Sequence, residues 1–380
     1  MLGRIASFFK DDHRYVFLGT SAFALVGLWL AMQPRTPSSF LAQSYALEVV
    51  LYYLLVAWLV LSAVALVNKL IKWRDYGTSS PFVRESLRRM VRIASYVMWA
   101  IVCVFIVDRL GMGLVDLVRT STQASSNPTD FLSSTVYMLS KSSSIFATGI
   151  ITTIELATFG TIIAFFLALL MVFLRIQEID RSDNDFIRFL KTVGSGFAKL
   201  YSTVIRGTPM MIQGMIIYFA GFGVLRGTGM SVSEIGAIWS TFVAGLVTIS
   251  LNSTAYMMEV LRGGIEAVDS GQTEAARSLG LSQWQAMMKV VFPQGVKNAV
   301  PALSNELVIN IKDSSVLSVI GVFDLMFATT TVAGIYFKQS EIYVVAAVCY
   351  LILTMTATWL LNKLSRRLTG AAPRTLPSSN

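Results

Sequence analysis

Apolar runs of about 18 or more residues, the length needed to cross roughly 30 Å of hydrocarbon, recur along this chain and restrict what it can become. They cover Tyr15–Met32, Val49–Val67, Ile150–Leu174, Pro209–Leu225, Ile235–Val260, Ala299–Phe327 and Ile342–Leu361, with a shorter run at Ile93–Val107. Lipid leaves backbone N–H and C=O groups no partner but each other, so runs of this length become helices. Hydrophobic residues are 54% and charged residues 14% of the 380, which fits a polytopic membrane protein and not a globular domain. The expected fold is all-α, with about eight transmembrane helices, three before residue 140 and five after it.

Charge then sets topology. The chain carries 31 Lys and Arg against 22 Asp and Glu. They cluster before residue 15, across Lys69–Arg92, through 175–206, through 262–297 and after 362. Only Arg35, Arg109, Arg119, Lys141, Arg226 and Lys338 fall on the opposite side, and Lys312 lies within a span. The positive-inside rule therefore places both termini of this multi-pass protein in the cytoplasm. The excess of +9 is a topological signature, and no nucleic-acid partner is expected. The first run lacks a small-residue cleavage pattern and is expected to stay as a span. Residues 112–145, rich in Ser, Thr and Asn and containing Pro128, are expected to form an exposed loop.

Cys103 and Cys349 sit in apolar runs as small hydrophobes, and His13 is the lone histidine, so no metal site and no His-based catalysis are expected. No G-x-x-x-x-G-K-[ST] loop is present, so nucleotide phosphates have no usual cradle in this chain.

One stretch breaks the apolar pattern. Between Gly263 and Lys297 the chain is charged and amphipathic, with Gly and Pro at the joints. Ser270, followed by Gln272, Glu274, Ala275 and Ala276, marks a helix start; Gly280 ends that helix. Ser282 caps a second helix through Trp284 to about Val291, where Pro293 stops it. Two short helices at an angle result, with Leu279, Leu281 and Trp284 near the elbow. On physical grounds the element is either an amphipathic hairpin resting in the headgroups or a dock for a soluble partner.

Ionisable groups inside spans are costly and by default mark a pathway or a partner. Glu155 lies near the outer end of its span, and Glu306, Asn310, Lys312 and Asp313 follow one another along another. Asn252, Tyr256 and Glu259 share a helix face. Gln213 is a further polar group within a span. A zwitterion would need a cation for its carboxylate and an anion for its ammonium, which Lys312 with Asp313 or Glu306 could supply. The structural alternative is internal pairing: Lys312 with a neighbouring acid, Glu259 with Arg262, and the amides in interhelical hydrogen bonds.

EAARSLG at 274–280, nine residues, and then VVFP at 290–293 resemble the EAA signature of importer-type ABC transporter permeases. RGTPMMIQGMIIYF (206–219), NSTAYMMEVLRGGI (252–265), GQTEAARSLGLSQWQAMMKVVFPQ (271–294) and IKDSSVLSVIG (311–321) resemble, in order and spacing, the polar amino-acid uptake subfamily. Met210, Met211, Phe292 and Ser314 are soft departures from its pattern. The resemblance implies a five-helix permease core over 145–365, preceded by an N-terminal extension over 1–140 and followed by a disordered tail over 366–380. It implies a non-catalytic subunit that couples to a cytoplasmic ATPase through the loop 263–297, with Glu274, Ala275, Ala276, Gly280, Leu281 and Trp284 at the interface. No cofactor is expected in this chain; ATP and Mg belong to the partner. The implied assembly has two ATP-binding subunits, a second permease (identical or homologous), an extracytoplasmic solute-binding protein and a small amino-acid substrate. An importer for another small polar solute and an ion-driven secondary transporter are the alternatives, and the latter leaves the elbow unexplained.

Overall fold

The structure is a computed structural model that describes residues 13–71, 81, 84–177, 179 and 183–369, with side chains described from residue 19 to residue 365. The N-terminal basic residues, Lys72 and Arg74 of the Lys69–Arg92 segment, and the tail from residue 370 lie outside the described residues, as does the His13 side chain. Every regular element among the described residues is helical. The chain divides into two compact units, one ending at Tyr137 and the other beginning at Met138.

In the first unit, α1 (His13–Ala31), α2 (Tyr45–Ile71) and α3 (Glu85–Phe105) pack around Leu30, Leu55, Trp58, Met98, Val102 and Phe105. Polar side chains cross between them: Trp99 Nε1 donates to Thr20 at 3.1 Å, and Ser21 to Ser62 at 2.8 Å. A wide π-helical turn, Ile106–Gly111, carries α3 into α4 (Met112–Gln123). The segment Glu85–Gln123 is thus one apolar path of 39 residues, not the short run at Ile93–Val107.

The loop expected over 112–145 is corrected. It is mostly α4, α5 (Phe131–Lys141) and the start of α6 (Ser143–Arg175), with a break only around Pro128. Its hydroxyls reinforce helix by bonding back one turn, Thr120 to Asp116 O at 2.7 Å and Thr135 to Phe131 O at 2.7 Å. The Asp130 carboxylate accepts the Ser133 N–H at 3.0 Å, so α5 begins on a capped turn. That N–H, helped by the Ser133 hydroxyl, holds the Asp130 carboxyl below its ordinary range.

The second unit is built on α10 (Thr241–Glu266), which packs against α6 and α13 (Phe292–Asp313). Small residues set the close approach. At the crossing of α10 and α13, a Cβ on Gly295 would fall 2.6 Å from the Ile265 side chain and 2.7 Å from its backbone. Between α6 and α10 lie α7 (Asp185–Gly207), capped by the Asn184 side chain on Ile187 N, α8 (Met210–Gly227) and the short α9 (Val232–Ile238). Ser231 and Glu234 cap α9 reciprocally, and the chain turns at Trp239 before Ser240 caps α10. The expected span Ile235–Val260 is therefore two helices.

After α10 come α11 (Ser270–Ser278) and α12 (Gln283–Ala286). Pro293 does not stop the second of these: the π-helical turn Met287–Val291 lets the helix pass the missing N–H and continue as α13. A 3₁₀ segment, Ser314–Ile320, follows, and the path bends by 54° into α14 (Leu325–Tyr336). The last helix, α15 (Gln339–Thr369), runs into the stretch expected as a disordered tail.

Among the described residues, six helices are long and apolar enough to cross a membrane, and the bent pair gives a seventh path. The first expected span, Tyr15–Met32, coincides with α1 (His13–Ala31). The chain is an all-α polytopic membrane protein.

Candidate functional site

The elbow is held by local chemistry. Asp269 caps α11 by accepting from Gly271 N at 2.7 Å, one residue ahead of the Ser270 start expected from sequence. Gly280 has φ +86°, the left-handed region that glycine enters without penalty. Its N–H donates to Arg277 O at 2.9 Å and Leu281 N–H to Ala276 O at 3.3 Å, the paired bonds of a Schellman C-cap. Ser282 and Gln285 then form a capping box, Gln285 N to Ser282 Oγ at 3.2 Å and Ser282 N to Gln285 Oε1 at 2.9 Å.

These caps sort the candidates by face. Ala276 and Ala286 are buried against their own chain, and Leu281 is half-buried. Glu274, Ala275 and Gly280 are exposed, Leu279 is 84% exposed and Trp284 is 52% exposed. The inner edge of Trp284 meets Phe173, which also packs on Phe292 at 4.8 Å between ring centres. Apolar and small residues on a charged segment thus project outward from a rigid base.

The polar residues of the spans separate into bonded and unbonded sets. Gln213 donates to Ile205 O at 2.7 Å and to Thr208, while its carbonyl accepts from Asn252 at 3.0 Å, tying α7, α8 and α10 together. Asn310 accepts from Ser253 and donates to Thr161, both at 2.8 Å, tying α13 to α10 and α6. Asn252, Tyr256 and Glu259 do line one side of α10. Asn252 faces Gln213, Tyr256 lies under the Arg206 guanidinium at 5.4 Å, and Glu259 accepts from Ser202 at 3.2 Å and from Arg262 at 2.8 Å. Glu259 and Arg262 are paired, as the structural alternative expected.

Glu306 is buried with no hydrogen bond or ion pair among the described residues. Lys312 is exposed and Asp313 half-buried, and among the described residues Lys312 forms no ion pair with Asp313 or Glu306. Lys312 still acts electrostatically on the neighbouring Asp313 carboxylate, without a direct ion pair. Glu155 is exposed on α6 and apart from the other candidates.

Sequence reasoning missed Thr161, Ser253 and Ser202, single hydroxyls that carry no signal until a partner helix is placed. It also missed an ion cluster in the first unit. Arg109 bonds Glu48 and Asp108, Asp108 accepts from Ser39 and from Leu41 N, and Arg35 reaches Glu48 at 2.9 Å. Arg35 and Arg109 had been read only as outer-loop charges; Glu48 and Asp108 fell just beyond spans drawn too short.

Residues 188–370 match the family model described as binding-protein-dependent transport system inner membrane component. The glutamine transport system permease protein GlnP of Escherichia coli K12 is 35% identical over 184 residues, covering 47% of this chain and 80% of that protein. This chain belongs to that family. The nopaline transport system permease protein NocM of Agrobacterium fabrum is 31% identical over 235 residues, 59% of this chain and 90% of NocM. A crystal structure of an amino acid ABC transporter with histidines aligns with a TM-score of 0.51 and 34% identity, over 63% of this chain and 99% of that one. The resemblance drawn from the EAA segment agrees with this membership. As an inner membrane component of a transport system, the chain is a multi-pass permease. The family match begins within α7, so the first unit lies outside it.

Proposed function

We propose that this chain is the pathway-forming permease of an ATP-driven importer for polar amino acids, coupled to a cytoplasmic ATPase through the elbow at 263–297. The observation that carries the reading is the outward display of Ala275, Leu279, Gly280 and Trp284 on a doubly capped turn directly after α10 and before α13. A rigid knob between two helices of the bundle can pass a push from a soluble partner to both. The Lys and Arg distribution puts this knob and both termini in the cytoplasm. The relatives named for glutamine and nopaline transport support a polar amino-acid substrate.

In this reading residues 145–365 are the permease core, preceded by the N-terminal extension over 1–140. Two ATP-binding subunits holding ATP and Mg sit beneath, a second permease completes the pathway, and a solute-binding protein delivers substrate outside. Catalysis of ATP hydrolysis belongs to the partner. An unpaired ammonium in a membrane helix costs about 2.5–3.5 kcal/mol on insertion scales. Lys312 therefore faces water in the pathway or the second permease, where it can meet a substrate carboxylate while Glu306 answers the ammonium.

A mild-detergent pull-down of the tagged chain from its native membrane, followed by mass spectrometry, tests this. The expected outcome is co-purification of a subunit carrying its own phosphate loop, reduced when Glu274 is replaced by Ala. Recovery of the chain alone, with uptake persisting after ATP depletion, would overturn the reading in favour of ion-driven transport.

A further inference from the structure

We propose that α7 lies in the plane of one membrane leaflet and binds anionic phospholipid there. Its aromatic and aliphatic stripe sits among the acyl chains, and the basic residues of its polar face sit at the headgroups. The helix has 23 residues, about 34 Å of rise, yet Asp185, Arg188, Lys191, Lys199 and Arg206 make it unfit to cross the membrane. It joins two spans, α6 and α8, and so begins and ends on the same side.

Three sectors run along it. One is packed: Ala198 and Ser202 are buried, Gly194 lies against Leu174, and the Tyr201 hydroxyl donates to Leu251 O at 2.6 Å. A second, Phe186, Phe189, Val193, Phe197, Leu200 and Val204, follows helical spacing and is exposed throughout, Phe189 at 62% and Leu200 at 63%. A third, about 140° round the helix from the stripe, carries Arg188, Lys199 and Arg206. Lys191 is taken by Asp183 at 2.7 Å and Arg206 leans over Tyr256, whereas Lys199 is exposed and makes no ion pair among the described residues.

An apolar stripe on one face and basic residues on the polar face, on a helix held against membrane spans, is the arrangement that seats an amphipathic helix in an anionic leaflet. Charge complementarity chooses the lipid. The packed sector bears on Glu259 through Ser202, one turn before Arg262 and two before Glu266, so a leaflet gripping α7 also fixes the end of α10 that leads into the elbow.

The test uses the full-length chain in nanodiscs, with Cys103 and Cys349 replaced by Ala and a bimane label on Leu200→Cys. Quenching is compared between headgroup-nitroxide phosphatidylglycerol and headgroup-nitroxide phosphatidylcholine at equal mole fraction, and with aqueous iodide. The expected result is lipid quenching with protection from iodide, and stronger quenching by the anionic lipid. Each basic residue near an anionic surface is worth about a fivefold enrichment. Lys199→Glu should reduce the anionic preference by at least about fivefold, and Lys199→Arg should keep it. Because Lys199 is exposed, neither variant threatens folding. Equal quenching by the two lipids, iodide quenching without lipid quenching, or shielding from all three quenchers by a protein partner would each overturn the proposal. None of these readouts depends on transport.

Discussion

Gly280 is where backbone geometry meets the coupling proposed for the elbow most sharply. It holds φ +86°, and a Cβ built on it meets nothing within 4 Å. In the isolated chain a substitution therefore introduces no clash, only the strain of a left-handed residue, about 1–2 kcal/mol for an ordinary L side chain and less for Asn. That strain divides the population of the correct elbow by a factor of about 5–30 where two backbone states compete. The expected order of ATP-driven uptake in proteoliposomes, and of ATPase retained in a pull-down, is Gly280 wild type, then Gly280→Asn, then Gly280→Ala, then Gly280→Val. Amounts of permease in the membrane should stay equal across the series, because the elbow lies outside the packed bundle. The reasoning fails if the series follows side-chain volume instead, with Ala better than Asn. Close approach of the partner, and not the left-handed turn, would then be what glycine supplies. It fails more completely if all three variants take up substrate like wild type, since the hairpin would then be a passive element of the membrane surface.

Three further outcomes follow from packing and charge. Gly295→Val should lower the thermal midpoint in detergent, because its Cβ would lie 2.7 Å from the Ile265 backbone and overpacking of this kind costs about 1–3 kcal/mol; an unchanged melting curve would contradict the close crossing of α10 and α13. Arg109→Leu leaves Asp108 buried without its cation and Glu48 with Arg35 alone, and should destabilise the first unit by about 3–5 kcal/mol, read as loss of monodisperse protein on size exclusion, with partial recovery on adding Asp108→Asn. The Ser231 hydroxyl and N–H hold the Glu234 carboxyl below its ordinary range, so the cap on α9 is complete above that range and is lost as pH falls through the lowered value; amide exchange over 231–239 should show no cap-related change in protection from pH 8 to 6 and should lose protection only in acid.

What sequence revealed about this fold divides by the range of the interactions responsible. Spans announce themselves because a run such as Ile150–Leu174 must become helix in lipid whatever else the chain does. The elbow was legible for a similar reason: Ser282 and Gln285 lie three residues apart, and Gly280 stands one residue beyond the carbonyls' last partners, so local spacing carries the geometry. The cap on α11 was misread by one position because Asp269 and Ser270 are both good N-caps. The helix over 112–123 was hidden by its Ser and Thr content, although those hydroxyls point back along the helix instead of competing with it. Pro293 misled because proline predicts a stop, while the wider turn at Met287–Val291 lets the helix absorb it. The cluster of Glu48, Asp108 and Arg109 was beyond reach, since its members belong to different helices and none repeats with a helical period.

Hydrogen-bond accounting narrows the membrane-embedded candidates in a way composition could not. Gln213, Asn252 and Asn310 each have side-chain partners on a neighbouring helix, so replacing one removes interhelical bonds that average about 0.6 kcal/mol each. Such a loss weakens the bundle slightly and says little about substrate. Glu306 and Lys312 differ in kind, since each bears an ionisable group without an ion pair or hydrogen bond among the described residues. Helix packing does not explain why a chain would keep them, because an apolar residue at either position would insert more favourably by about 2.5–3.5 kcal/mol. In the reading proposed above, water, substrate or a second permease answers these two groups. The amides tie the helices of the second unit together, and Glu306 and Lys312 are the positions that the proposal opens to the pathway.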